Sequence, residues 1–218
     1  MKIERRYIPV TELRVVRSDG KAPVIRGYAA VFNKLSENLG GFREKIAPGA
    51  FKGAIAISDV RSLFNHDSNF VLGRMSSGTL EVKEDREGLL MEVIPPDTQW
   101  ARDLMVSIDR GDINQQSFGF TVETDQWEEK EGADTIRTLI KIRQLFDVGP
   151  VTFPAYPDTS VATRSLEEWR KQKSESNQNE PPDGTVDGEP DAEQLRTHMA
   201  MAQARQRHLN LRKRQFMG

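Results

Sequence analysis

The sequence predicts an α+β fold: a β-barrel-like core with peripheral helices, followed by a disordered linker and a C-terminal helix. Three observations predict it. Strand-like segments, several with period-two alternation, recur between residues 24 and 145, while few segments there carry a helical period. The connections between the strands are long and do not alternate, which points to a closed or nearly closed barrel with helices outside it. Finally, the composition changes sharply near residue 171, where apolar periodicity gives way to Ser, Asn, Gln, Glu, Pro, Gly and Asp.

The expected strands are residues 24–32 (VIRGYAAVF), 79–83 (TLEVK), 89–94 (LLMEVI), 117–123 (SFGFTVE) and 135–145 (TIRTLIKIRQL). Residues 98–110 read as a helix. Trp100, Leu104 and Ile108 lie four apart, Ala101 and Met105 widen that face, Asp97 can cap the start, and Gly111 follows the end. A shorter helix starts around Pro48-Gly49 and carries Phe51, Ala54 and Ile55. No internal repeat is visible, which excludes solenoids and propellers.

Residues 1–166 therefore form the expected globular domain. Residues 167–190 form a flexible linker; from residue 171 to 190 its only aliphatic side chain is Val186, and five acids outnumber two lysines. Residues 191–218 read as a basic amphipathic helix. Leu195, Met199, Ala202, Leu209 and Phe216 fall on one stripe, interrupted by Gln206 and Lys213, and the basic residues outweigh Asp191 and Glu193. Such a helix is marginal alone, so it is either a solvated tail or a docking element.

With 31 basic against 33 acidic residues among 218, the net charge of -2 gives no global reason to expect nucleic acid or an anionic membrane as partner. Cysteine is absent, which removes disulfides, thiolate metal sites and a cysteine nucleophile together, and suits a reducing cytoplasm. The start, Met1-Lys2-Ile3-Glu4-Arg5-Arg6, has no apolar signal core, and no stretch approaches the roughly 20 apolar residues of a spanning helix.

Three residues stand out for chemistry. His66, in Asn65-His66-Asp67, is the only histidine before the tail, which holds His198 and His208. Ser117 opens the run Ser117-Phe118-Gly119-Phe120, where Gly119 allows close backbone approach. Asp147 is delivered at the end of a long apolar strand. A base, a nucleophile and a carboxylate are what acyl transfer by a serine requires: imidazole takes the hydroxyl proton, and the carboxylate fixes its tautomer. Each residue also has a structural reading. His66 can be a hydrogen-bonded structural histidine, Ser117 a strand start, and Gly119 a bulge or a space for the two phenylalanines. Asp67 suits the carboxylate role less, because adjacent strand residues face opposite sides, and reads as a loop hydrogen-bonder or a surface charge. Arg137 and Arg143, on the strand before Asp147, read as surface charges. With one histidine and no cysteine in the domain, no metal or other cofactor is expected.

Several segments, taken in order, resemble the prohead maturation proteases of tailed bacteriophages, whose fold is similar to that of the herpesvirus assemblin serine proteases. They are residues 26–32 (RGYAAVF), 44–51 (EKIAPGAF), 65–67 (NHD) with 72–74 (LGR), 77–80 (SGTL), 110–112 (RGD), 117–120 (SFGF) and 151–157 (VTFPAYP). The resemblance implies a serine endopeptidase with Ser117 as nucleophile and His66 as base. Family members carry an acidic residue shortly before the last motif, and Asp147 occupies that place. Assemblins use a histidine as third member; with no second histidine in the globular part, an acid substitutes or a dyad suffices.

The implied substrate and partner is the major capsid protein with its scaffolding segment, together with the chain itself through autocleavage and a possible homodimer. The implied location is the host cytoplasm, inside the assembling procapsid. A non-catalytic assembly or scaffolding factor with the same fold is the alternative.

Overall fold

The computed structural model describes residues 3–8, 13–129, 132–153 and 159–178. The expected C-terminal helix and residues 179–190 of the expected linker lie outside the described residues.

In chain order the strands are β1 (Glu4–Ile8), β2 (Arg14–Val16), β3 (Val24–Val31) and β4 (Phe42–Ile46), then, after helix α1 (Lys52–Ile57), β5 (Arg61–Leu63), β6 (Val71–Arg74), β7 (Leu80–Glu84) and β8 (Gly88–Val93). Helix α2 (Gln99–Asp109) precedes the two long strands β9 (Gln115–Glu128) and β10 (Thr135–Val151), and α3 (Thr159–Gln178) follows them.

The α+β class is correct, but the strands form two open sheets instead of a closed barrel. One sheet has the order β1-β9-β10-β5-β6, with β4 also paired to β10; the other is β2-β3-β8-β7. A barrel needs every strand flanked on both sides with a constant stagger. Here one edge of β10 is shared in succession: Thr135 to Leu139 pair with β4, and Asp147 and Val148 pair with β5, both parallel. The sheet is thereby split along one side instead of curling round to meet itself.

A single apolar core joins the two sheets. Ile25 and Ala29 of β3 and Leu89, Met91 and Val93 of β8 share it with Phe118 and Phe120 of β9 and Leu145 and Val148 of β10. Phe51 before α1 is fully buried and meets Phe118 edge-on at 5.6 Å between ring centroids. Helix α2 buries Ala101, Leu104, Met105 and Ile108, the stripe its periodicity predicts. Its N-cap is Thr98, however, and the Asp97 carboxylate pairs with Arg102.

Helix α3 takes in residues 167–178, the first part of the expected linker. The composition there is polar, but Leu166 and Trp169, three residues apart, give one turn an apolar side. Leu166 is buried with Leu39 and Phe42, and Trp169 stacks on Trp127 at 5.4 Å. Arg170 and Lys173 then pair with Glu129.

Candidate active site

The site rests on the antiparallel pair β9–β10. Ser117 lies opposite Gly149, and Gly119 lies opposite Asp147. Cross-strand partners share a face of a sheet, as do residues two apart, so these four positions form a square with functional side chains on one diagonal and glycines on the other. The glycines are required. A Cβ on Gly119 would stand 2.5 Å from Asp147 Oδ1, and one on Gly149 would stand 2.0 Å from the Leu63 carbonyl oxygen of β5.

Asp147 reaches this face only because the ladder is irregular. Leu145 opposes Phe120 and faces the core, and strict alternation would send Asp147 the same way. A register shift between Leu145 and Asp147 inserts Phe146 as an extra residue and turns the carboxylate to the opposite face.

His66 arrives on a tight turn between β5 and β6. Asn65 and His66 both have positive φ, 55° and 57°, and the Asp67 amide donates to the Phe64 carbonyl at 3.0 Å, as in a type I′ turn. Asn65 fastens the turn to the end of β10. Its amide N–H donates to the Pro150 carbonyl at 3.0 Å, its Oδ1 accepts from the Thr152 N–H at 2.8 Å, and its Nδ2 donates to Thr152 Oγ1 at 3.1 Å. Asp67 is a loop hydrogen-bonder: its Oδ1 accepts from the Asn69 N–H at 2.8 Å and from Asn69 Nδ2 at 2.9 Å.

The turn sets the imidazole across the diagonal of the square. Nε2 lies 2.6 Å from Ser117 Oγ, and Nδ1 is in short contact with Asp147 Oδ2. With Nδ1–H donating to the carboxylate, Nε2 is left as an acceptor facing the hydroxyl. Ser117 Oγ also lies 2.9 Å from the Arg6 carbonyl, so its one proton has two acceptors. Ser117 is fully buried, and the His66 and Asp147 side chains are about a tenth exposed.

Beside the site, a buried ion network ties β1 to β4 and β10, and β10 to β9. Arg6 pairs with Glu44 at 2.8 Å and with Glu4 at 2.5 Å, while Arg137 pairs with Glu4 at 2.9 Å, Glu44 at 3.1 Å and Asp125 at 2.7 Å. Arg137 is therefore no surface charge: it is 3 % exposed and lies over the Trp127 ring. Burial would raise the Glu4 carboxyl pKa, but the Arg6 and Arg137 guanidiniums outweigh it and hold the value below normal. Burial likewise opposes the charge on Arg137, and Glu44 and Glu4 reverse the balance, raising its pKa. Arg143, by contrast, is exposed as expected.

The three residues singled out from the sequence thus meet within hydrogen-bonding distance. Not anticipated were the Asn65 clamp, the space Gly119 leaves for Asp147, and the Arg6 carbonyl. Asn65 and Gly119 were visible as motif neighbours; the Arg6 contact is 111 residues away in sequence and had no local signal. Among the described residues no three His, Asp or Glu side chains converge as a metal site, and no helix is long and apolar enough to cross a membrane.

Residues 10–172 match the family model of the caudovirus prohead serine protease. The chain belongs to this family. It is accordingly a serine peptidase of the prohead type. The prohead protease of Enterobacteria phage HK97 is 30% identical over 173 residues, which cover 73% of this chain and 72% of that protein. No solved structure matches the chain. The residues matched by the family model include the β9–β10 pair and the 64–67 turn.

Proposed function

We propose that the protein is a prohead serine endopeptidase in which Ser117 is the nucleophile, His66 the general base and Asp147 the residue that orients the imidazole. The observation that carries the reading is the single imidazole bridging Ser117 Oγ and the Asp147 carboxylate. In the first half-reaction Oγ bonds to the scissile carbonyl carbon as its proton passes to Nε2. Asp147 accepts from Nδ1–H, so the proton can enter only at Nε2, and the carboxylate then stabilises the imidazolium. Collapse breaks the C–N bond, and the Nε2 proton leaves with the amine. Water repeats the sequence on the acyl-enzyme and restores the serine. For the hydroxyl to act, its proton must turn from the Arg6 carbonyl to Nε2.

The substrate in this reading is the major capsid protein, from which scaffolding segments are removed inside the assembling procapsid in the host cytoplasm, and the chain also cuts itself. The membership in the prohead protease family supports this. The assemblin-like kinship of the fold belongs to the same reading and rests on the motif resemblance. Superposing an experimental structure of the chain on an assemblin tests it.

The test of function is co-expression with the cognate capsid protein, wild type against Ser117→Ala, followed by intact-mass spectrometry of both chains. Capsid trimming and self-cleavage are expected in the wild type and absent from the variant. Trimming that persists in Ser117→Ala would instead favour an assembly factor with another protease doing the cutting.

A further inference from the structure

Beside the turn that carries His66, the structure has a cavity of about 250 Å³ with one apolar wall on helix α2 and another on the turn itself. Trp100 and Leu104, on one stripe of α2, line it together with Phe64 and Phe70, and Ile113, Asp103 and Ser107 complete the lining. Phe64 and Phe70 meet edge-on at 6.4 Å, and Phe70 meets Trp100 edge-on at 5.3 Å. The core has no use for the opening, since Phe70 is 38% exposed beside it.

We propose that this cavity is a substrate subsite for one large apolar side chain, aliphatic or aromatic, close to the scissile bond. This rests on the catalytic reading of Ser117 and His66. The position argues for it. Phe64 is two residues from His66, and Ile113 is four residues from Ser117; at about 3.5 Å per residue the cavity is within roughly 14 Å of the reacting hydroxyl along the chain. An extended substrate spans the same distance with a few residues, so a side chain next to or near the cut reaches the opening. The size argues for it too: an apolar cavity of about 150 Å³ already holds a benzene ring.

The lining decides the class of side chain. Aromatic edges and aliphatic carbons form the walls, and the one charge, Asp103, is exposed and already accepts from Gln99 Nε2 at 2.7 Å. A basic side chain would give up hydration for a single screened carboxylate, whereas an apolar one leaves water entirely. Phe64 and Phe70 also bracket the catalytic turn, so filling the cavity packs the segment that holds His66. Selectivity should therefore appear in kcat as well as in KM.

Two measurements test the assignment. In the first, the full chain carrying Ser117→Ala is titrated with N-acetyl-leucinamide, N-acetyl-phenylalaninamide and N-acetyl-aspartamide while the Trp100 indole N–H is followed by NMR, assigned through Trp100→Phe. The first two ligands are expected to shift that resonance and the third to leave it unmoved. No shift with either apolar ligand, or an equal shift with all three, overturns the subsite, and neither result depends on catalysis.

In the second, the wild type is profiled with a positional-scanning library of internally quenched octapeptides. One position within three residues of the cut is expected to favour Leu, Met or Phe over Gly, Asp and Lys by at least about 10-fold. Ser107→Leu, which narrows the cavity from its rim, and Phe70→Ala, which opens it, are expected to erase that preference. Both variants are expected still to label at Ser117 with a fluorophosphonate, which reports that the nucleophile remains competent. A preference for Lys or Arg at that position, or an apolar preference unchanged in both variants, overturns the proposal. Failure of the wild type to label at Ser117 would count against the catalytic reading alone and leave the NMR titration to decide the subsite.

Discussion

The geometry of the proposed triad depends on two residues that carry no reactive group. Gly119 exists to leave room for Asp147, since any Cβ there would stand 2.5 Å from the carboxylate oxygen. Gly119→Ala must push Asp147 off the imidazole, and its effect should approach that of Asp147→Asn, which presents the wrong hydrogen-bonding partner to Nδ1. Removing that partner costs on the order of 10⁴ in kcat in serine proteases of this design. Both variants should fold, so thermal melts near the wild type with peptide cleavage down by about 10³ or more are expected; Gly119→Ala at full activity would refute the arrangement. Asn65 combines a left-handed backbone with three hydrogen bonds to the end of β10, two of them to Thr152 and one to Pro150. Asn65→Ala loses the side-chain clamp and tolerates the backbone poorly, Asn65→Gly loses only the clamp, and Asn65→Asp keeps the acceptor for the Thr152 N–H. Cleavage rates should rank Asp above Gly above Ala. Rates measured well below the melting transition should separate positioning from mere destabilisation, because a loosened His66 lowers kcat there and a globally weakened fold does not.

At the level of elements, β1 is held to the sheet by charge as much as by its ladder. Arg137 is the hub, touching Glu4, Glu44 and Asp125 from β10. Arg137→Leu leaves those carboxylates buried with one fewer cation and should destabilise the chain by about 3–5 kcal/mol in urea denaturation. The pH dependence distinguishes this cause. In the wild type the Glu4 pKa is depressed in the folded state, so its contribution is present above the unfolded pKa and is lost as pH falls through the lower folded value. Without Arg137 only Arg6 opposes the burial that raises the Glu4 pKa, so the depression is smaller and the variant should lose less stability than the wild type as pH falls through the folded value. If both show the same slope, the network is not what holds β1. None of this was legible in the sequence: Arg137 on an alternating strand has the pattern of a surface charge, and its partners lie on β1, β4 and β9, the first two short segments without a clear period. The β9–β10 pair and α2 were legible because long periodic segments declare their faces; α1 was legible only as a short helix, and it begins at Lys52, later than the expected start around Pro48-Gly49. The candidate triad was legible as residue types beside those strands. What brought it to one face was not, because it depends on a single extra residue, Phe146, in the β10 ladder, and a bulge has no composition of its own.

At the scale of the whole molecule, the described residues up to 173 form one compact unit. The family match ends at residue 172, close to the same boundary. What ties the last turns of that unit down is the patch of Leu166 and Trp169 against Leu39, Phe42 and Trp127. Trp169→Ala removes one ring of the Trp127 stack and most of that cover, and should cost about 2 kcal/mol, less than a fully buried tryptophan because Trp169 is only half-buried. No residue of the patch bonds to Ser117, His66 or Asp147, so fluorophosphonate labelling below the melting transition should be unchanged. A chain ending at residue 178 keeps the whole patch and the paired Arg170 and Lys173, and should match the full chain in melting temperature and in cleavage of peptides. If the basic segment 191–218 is a docking element, the shortened chain should nevertheless fail to enter procapsids when co-expressed with the capsid protein, an outcome read by the protease content of purified particles. Equal incorporation of both lengths would show that recognition of the shell resides in residues 1–178, and the search for the docking surface would then move to the folded unit.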